Sequence, residues 1–299
     1  MQHSREGLLA VHAAVLIFGF TALFSKLIAL PALDINFYRS VFAFFAIVLF
    51  VAYKKQSYLL KRRQDYLMAG LLGVLLAAHW VSYFYAMQVS SVAVGVIALY
   101  TYPVITVFLE PLFHGEKPHI VDIVSSFAVL FGIYLIVPEF SLDNDMTIGI
   151  IAGVFSAFMM SLRNIMQRRY FSAYPASQAL LYQTLIVALV LLLFVENEVA
   201  MVTEGQWWQL LVLGIFFTAL PHTLFAHGLI HLKAKTASLI ACVQVIYASL
   251  FAALLLSEIP GLNVIFGGFI VIAVAMIETM PVAVRDRLFF LVRARSGFR

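Results

Sequence analysis

The chain has 299 residues, 63% of them hydrophobic and 11% charged, with a formal net charge of +4 and a mean hydropathy of +0.99. A soluble domain carries about 45–50% apolar and about 25% charged residues, and roughly half of its surface must face water, so a water-soluble fold of this length is excluded. Disorder is excluded because disordered chains are poor in apolar residues. The single cysteine, Cys242, rules out an intrachain disulfide and a multi-cysteine metal cluster.

A membrane helix needs about 20 mostly apolar residues to cross about 30 Å of hydrocarbon. Ten such stretches follow one another at 7–29, 33–52, 66–86, 91–113, 119–137, 147–168, 177–196, 207–228, 236–257 and 260–281. The breaks between them include Leu30-Pro31, the run from Lys54 to Asp65, Gly115-Glu116-Lys117-Pro118 and Asp143-Asn144-Asp145. No stretch alternates with period two over ten residues, which argues against a membrane barrel. The first span is too long for a signal-peptide core and has no small-residue cleavage site after it, so it is expected to stay in the mature protein.

With ten spans both termini lie on one side. All Lys and Arg residues except Lys26, Arg39 and Arg163 then fall in the tails and even-numbered loops. The odd-numbered loops carry acids instead: Asp34, Glu139, Asp143, Asp145, Glu196, Glu198, Glu204 and Glu258. The positive-inside rule places both termini in the cytoplasm of a cell with a multi-pass inner membrane. The pI of about 9.1 is therefore a topology signal, with some attraction to anionic lipid, and calls for no nucleic acid.

Residues i and i+142 correspond over much of the chain. Gly7-Leu8-Leu9-Ala10 opens span 1 and Gly149-Ile150-Ile151-Ala152 opens span 6, while Ala46, Val48 and Leu49 meet Ala188, Val190 and Leu191. The clearest match is Gly115-Glu116-Lys117-Pro118 against Ser257-Glu258-Ile259-Pro260. Each unit holds five spans, an odd number, so the second must enter the membrane with the opposite orientation. The expected fold is an all-α integral membrane protein with ten transmembrane helices in two inverted five-helix repeats, 1–141 and 142–285, and a basic cytoplasmic tail at 286–299.

On these residues the chain resembles the drug/metabolite transporter superfamily in its EamA-like branch. Pro103-Val104, the segment from Phe108 to Pro118, Gly132 and Arg39 carry the resemblance. In the second copy Glu258, Pro260 and Gly267-Gly268 recur, with Val245 where Pro103 would repeat. The resemblance covers nearly the whole chain, but its motifs are structural and carry no substrate code. It implies passage of small metabolites across the inner membrane, amino acids above all, with export as the direction.

Ionisable groups inside a span are costly and mark function unless a cheaper explanation exists. Lys26, Glu110, Asp122, His227 and Glu278 lie near span ends, where snorkelling explains them. Arg39, about six residues into span 2, suits bidentate pairing with a substrate carboxylate or a structural tie to loop carbonyls or to Asp34. Arg163 lies at a depth similar to Glu110, which makes a pair between them plausible. In span 3, His79 and Tyr83 share one helix face, and Trp80 shares another with Phe84. His79 and Trp80 correspond to Pro221 and His222 at the 142-residue displacement, so each repeat has a histidine near mid-depth. Tyr100 and Tyr102 flank the middle of span 4, and Ser161, Asn164, Tyr182, Gln183, Gln244 and Tyr247 add hydrogen-bonding groups. Such groups would lack partners facing lipid. The expected substrate-binding set is Arg39, His79, Trp80, Tyr83, Tyr100, Arg163, Asn164, Gln183, His222 and Gln244, with Pro103 and Pro221 as hinges. Aromatic and amide groups with few fixed charges suit a small zwitterion or a partly apolar solute, moved by alternating access.

An enzyme is not expected, since Gly-x-Ser-x-Gly and His-Glu-x-x-His are both missing. Haem ligation by His12, His79, His222 or His227 is disfavoured by their different depths. No glycine-rich filter or charge ring marks a channel. An exporter of amphipathic drugs or other metabolites on the same fold is the alternative. No cofactor or metal is implied. The expected partners are a small-molecule substrate and the lipid bilayer, and a homodimer is left open.

Overall fold

The computed structural model describes residues 2–114, 120–136, 141–195, 201–231 and 240–279. Every regular element among them is a helix. In chain order these are α1 (Gln2–Thr21), α2 (Phe24–Leu27), α3 (Ala32–Tyr53), α4 (Arg63–Val89), α5 (Val92–Leu99), α6 (Tyr102–His114), α7 (Ile120–Ile136), α8 (Asp145–Phe171), α9 (Ala176–Leu191), α10 (Glu204–Gly214), α11 (Leu220–His231), α12 (Gln244–Leu255) and α13 (Leu262–Thr279). A π-helical turn, Ile215–Ala219, joins α10 to α11.

Local sequence explains where the long helices begin. The Asn144 side chain accepts from Met146 N at 2.9 Å, and Asp145 sits in the first turn of α8, where a negative charge opposes the helix dipole. Thr203 and Gln206 form a capping box at α10, Ser91 caps α5, and Pro31 and Pro175 precede α3 and α9.

Five helical stretches are long and apolar enough to cross a membrane: Arg5–Leu27, Ala32–Tyr53, Arg63–Val89, Asp145–Phe171 and Glu204–Phe225. Shorter apolar helices occupy the other expected spans at Val92–Thr106, Ile123–Ile136, Ala176–Leu191, Gln244–Leu255 and Leu262–Ile277. Two of the expected spans, 91–113 and 236–257, are each interrupted by a turn. One turn breaks the chain at Tyr100–Thr101 and another at Cys242–Val243, the same 142-residue displacement that relates the two halves. Pro103 lies just past the first break, in the opening turn of α6, where its missing N–H costs nothing. The expected kinks near Pro103 and Pro221 are thus a break before one and a π turn before the other.

The largest apolar core draws on all of these helices except α9 and α11, which pack in smaller clusters, and α4 lies along α8 and α1 along α11. α7 and α13 form a pair on the outside, and they touch backbone to backbone. A Cβ added to Gly267 would stand 2.4 Å from the Gly132 carbonyl oxygen, so neither glycine has room for a side chain there. The Gly115–Pro118 segment, the basic residues Lys117, Lys233 and Lys235, the acids Glu139, Glu196 and Glu198 and the tail from 286 lie outside the described residues. So do the side chains of Glu110, Asp122 and Glu278.

Candidate functional site

The middle of the molecule holds a cavity of about 110 Å³ whose walls come from α1, α3, α4, α5, α8, the π turn, α11 and α12. Arg39, His79, Trp80, Tyr83, His222 and Gln244 all line it. Each comes from an otherwise apolar helix, and each is turned inward because hydrocarbon offers no partner for its polar atoms.

Arg39 is 3% exposed. Its guanidinium carbon stands 4.0 Å from the centre of the Trp80 ring and 4.7 Å from that of Phe84, so two aromatic faces cradle the charge. Its Nε and Nη1 are buried without a hydrogen-bond partner, as are the Tyr83 hydroxyl and Asn36 Oδ1. The Tyr83 ring stacks on His79 with centroids 6.1 Å apart.

Both histidines have their tautomer set by the protein. Ser156 Oγ donates to the His79 carbonyl oxygen at 2.8 Å and stands 2.7 Å from His79 Nδ1. A hydroxyl has one proton, so Ser156 must accept from an Nδ1–H. His222 Nδ1 lies 2.7 Å from the Thr218 carbonyl oxygen, an acceptor only, and so also carries its proton there. In the neutral state each ring leaves Nε2 as an acceptor. The π turn supplies the second of these arrangements, since π turns loosen the regular backbone pattern. Thr21 Oγ1 donates to the Phe217 carbonyl oxygen within the same turn at 3.0 Å.

A second cavity, about 200 Å³, shares Phe18 and His222 with the first and is lined by Arg163, Asn164 and Gln167. A third, about 280 Å³, shares Asn164, Gln167 and Ala176 with the second and reaches the exposed Arg168 and Ser172. Together they trace a route from mid-molecule to the end that holds the Lys54–Arg63 segment. At the opposite end the helices are tied. Lys26 Nζ donates to the carbonyls of Gln88 (3.0 Å) and Ser90 (3.2 Å) and pairs with Glu258 Oε1 at 3.7 Å. Glu258 Oε2 accepts from Val92 N at 2.9 Å, at the start of α5. Gln88 Nε2 donates to the carbonyls of Ser25 (3.0 Å) and Leu30 (2.9 Å).

The remaining expected residues stand elsewhere. Arg163 and Asn164 line the second cavity, and Arg163 donates to Gln183 Oε1 at 2.7 Å and to Asn164 Oδ1 at 3.3 Å. Gln183 is fully buried behind that guanidinium and holds it in place. Tyr100 is also behind the wall. Its hydroxyl reaches the Ala241 carbonyl oxygen and, at 3.1 Å, Gln244 Oε1, which ties the two helix breaks together. Tyr182 bonds the Tyr58 carbonyl oxygen near the Lys54–Arg63 segment at 2.6 Å, far from mid-depth. Phe18, Thr21, Leu99, Met160 and Phe217 line the central cavity without having been singled out in the sequence. Phenylalanines and leucines in apolar helices carry no local mark of which ones face a cavity.

The EamA-like transporter family matches residues 5–137 and again 147–279. The central cavity lies between these two segments, with Arg39 and Trp80 from the first and His222 and Gln244 from the second. An uncharacterized transporter of Archaeoglobus fulgidus is 24% identical over 91% of this chain and 96% of its own length. The uncharacterized transporter YojE of Bacillus subtilis is 28% identical over 76% and 78%. The pseudopaline exporter CntI of Pseudomonas aeruginosa is 24% identical over 81% and 84%. A solved crystal structure superposes with a TM-score of 0.66 at 16% identity, covering 94% of this chain and 98% of the other, and shares the fold.

Proposed function

The chain belongs to the EamA-like transporter family, and from that premise we propose that it is a secondary transporter moving small organic metabolites, amino acids first among them, out across a bacterial inner membrane. The observation that carries this reading is the central cavity between the two matched segments, which, among the described residues, continues through two further cavities toward the end that holds the Lys54–Arg63 segment.

Ten spans in two inverted repeats account for the shared 142-residue displacement of the family matches and of the two helix breaks. Secondary transporters of that architecture bind substrate at the repeat interface. Both termini and the Lys54–Arg63 segment lie in the cytoplasm by the positive-inside rule. The cavity route therefore opens inward and the Lys26–Glu258 contact closes the outer end. Alternating access requires that contact to open and the Arg163 side to close, with the breaks near Pro103 and Cys242 and the π turn before Pro221 as hinges. Arg39 takes a carboxylate, and Trp80, Tyr83, His79, His222 and Gln244 hold the rest of the solute. Export by CntI supports the outward direction.

Purified protein in liposomes, offered a broad panel of labelled amino acids and other metabolites, tests the proposal. At least one solute is expected to cross faster than in empty vesicles and to stop when Trp80→Ala is introduced. Movement of none on the panel overturns it.

A further inference from the structure

We propose that the cargo crosses with a net negative charge, as a carboxylate not balanced by an ammonium group on the same molecule. This rests on the transporter reading and narrows it, for the same cavity, from amino acids in general to acidic amino acids and other net-negative carboxylates. Arg39 carries it. The side chain is 3% exposed, lines the cavity, and has two nitrogens, Nε and Nη1, without any hydrogen-bond partner. Stacking on Trp80 and Phe84 offsets only part of the cost of burying a cation. A carboxylate supplies the counter-charge that the guanidinium lacks and a charge-assisted bond to one of these two nitrogens.

The rest of the route points the same way. Arg163, beside the second cavity, donates to the neutral amides of Gln183 and Asn164. Among the described residues, no Asp or Glu lines either cavity. His79 and His222 donate through Nδ1 to Ser156 and to the Thr218 carbonyl oxygen, so in the neutral state they offer Nε2 acceptors, and in neither state a negative charge. Two guanidinium groups thus follow one another along a low-dielectric path that focuses their field. An amino acid with equal numbers of carboxylate and ammonium groups leaves that positive excess in place, and a cation increases it. A 2-hydroxy acid relieves it and places a hydroxyl donor where an imidazole acceptor is available. An acidic amino acid meets the same charge condition.

The test uses matched solutes that differ in charge on one skeleton, in a small and an aromatic series. These are lactate, alanine and alaninol, and 3-phenyllactate, phenylalanine and phenylalaninol. Uptake into proteoliposomes at neutral pH, against empty vesicles, is measured alongside the thermal stabilisation each gives the purified protein. The acids are expected to move and to stabilise in at least one series, about tenfold or more better than the amino acid of that series, with the amino alcohols inactive. Arg39→Gln is expected to lower acid transport about tenfold or more, with Arg39→Lys keeping part of it. Amino acid or amino alcohol transport equal to or above that of the acids, still abolished by Trp80→Ala, overturns the charge assignment and leaves the transporter reading standing. Movement and stabilisation by none of the six also overturns the charge assignment. The transporter reading then falls only if the broad metabolite panel fails as well.

Discussion

Trp80 and His222, which the 142-residue displacement relates, meet in the centre of the molecule edge to face with their ring centroids 6.0 Å apart. Trp80 belongs to the first matched segment and His222 to the second, so this contact lies between the two segments. Arg39 lies on the Trp80 ring and Tyr83 on His79, which places the polar residues of both segments around one small space.

Tyr83 separates a binding role from a structural one. Its hydroxyl is buried beside Gln244 without a bond that meets hydrogen-bond geometry. An unsatisfied buried polar group costs about 1–3 kcal/mol. Tyr83→Phe is therefore expected to raise thermal stability in detergent, or leave it unchanged, while transport falls several-fold. A variant that is less stable and transports normally would assign the hydroxyl to the scaffold.

Under the proposed alternating access, the Lys26–Glu258 contact is expected to set the balance between inward-open and outward-open states. Its side chains are 26% and 24% exposed, so solvent weakens the pair and its contribution is roughly 0.5–1 kcal/mol, a two- to fivefold change in population. In a Cys242→Ala background, Leu99→Cys reports access to the cavity. Labelling from the outer side by an impermeant thiol reagent should rise by about that factor when Glu258→Gln is added. An unchanged rate removes the latch role.

The α7–α13 contact makes a stability prediction that is independent of transport. Gly267→Ala would place a Cβ 2.4 Å from the Gly132 carbonyl oxygen, a backbone atom that cannot turn aside. Thermal unfolding should show a loss of about 1–3 kcal/mol, the usual cost of overpacking. Gly70→Ala meets nothing within 4 Å and should be neutral or gain up to about 1 kcal/mol from helix propensity.

Topology is checked on exposed positions. Leu142 is 71% exposed and Ser57 is exposed at the other end of the bundle. In cells carrying Leu142→Cys or Ser57→Cys without Cys242, the first is expected to react with an impermeant thiol reagent and the second only after permeabilisation. The reverse pattern would invert the orientation drawn from the basic residues.

That Arg39, His79, Trp80, Tyr83, His222 and Gln244 face inward, where they line one cavity, is legible in the sequence because polar side chains at mid-depth in apolar helices lack partners in lipid. That rule does not say what they face. Tyr100 and Gln183 obey it equally, yet one ties the two helix breaks together and the other braces Arg163. A partner for Arg163 was expected at Glu110, whose side chain is outside the described residues, and the bonds that are described go to amides. The aromatic walls Phe18 and Phe217 were illegible, because nothing local distinguishes them among 27 phenylalanines.

Hydropathy, charge placement and the 142-residue displacement are properties of the chain read along its length. By themselves they determined that this is a multi-pass membrane protein of two related halves and which polar groups cannot face lipid. The tertiary structure decided the rest. Which groups share a cavity, which merely brace one another and which end is tied by Lys26 and Glu258 all depend on contacts between distant helices. Lys26 reaches Glu258, and Arg39 stacks on Trp80, only after the helices have packed. Local pattern carries no information about the angle and rotation at which two apolar helices meet.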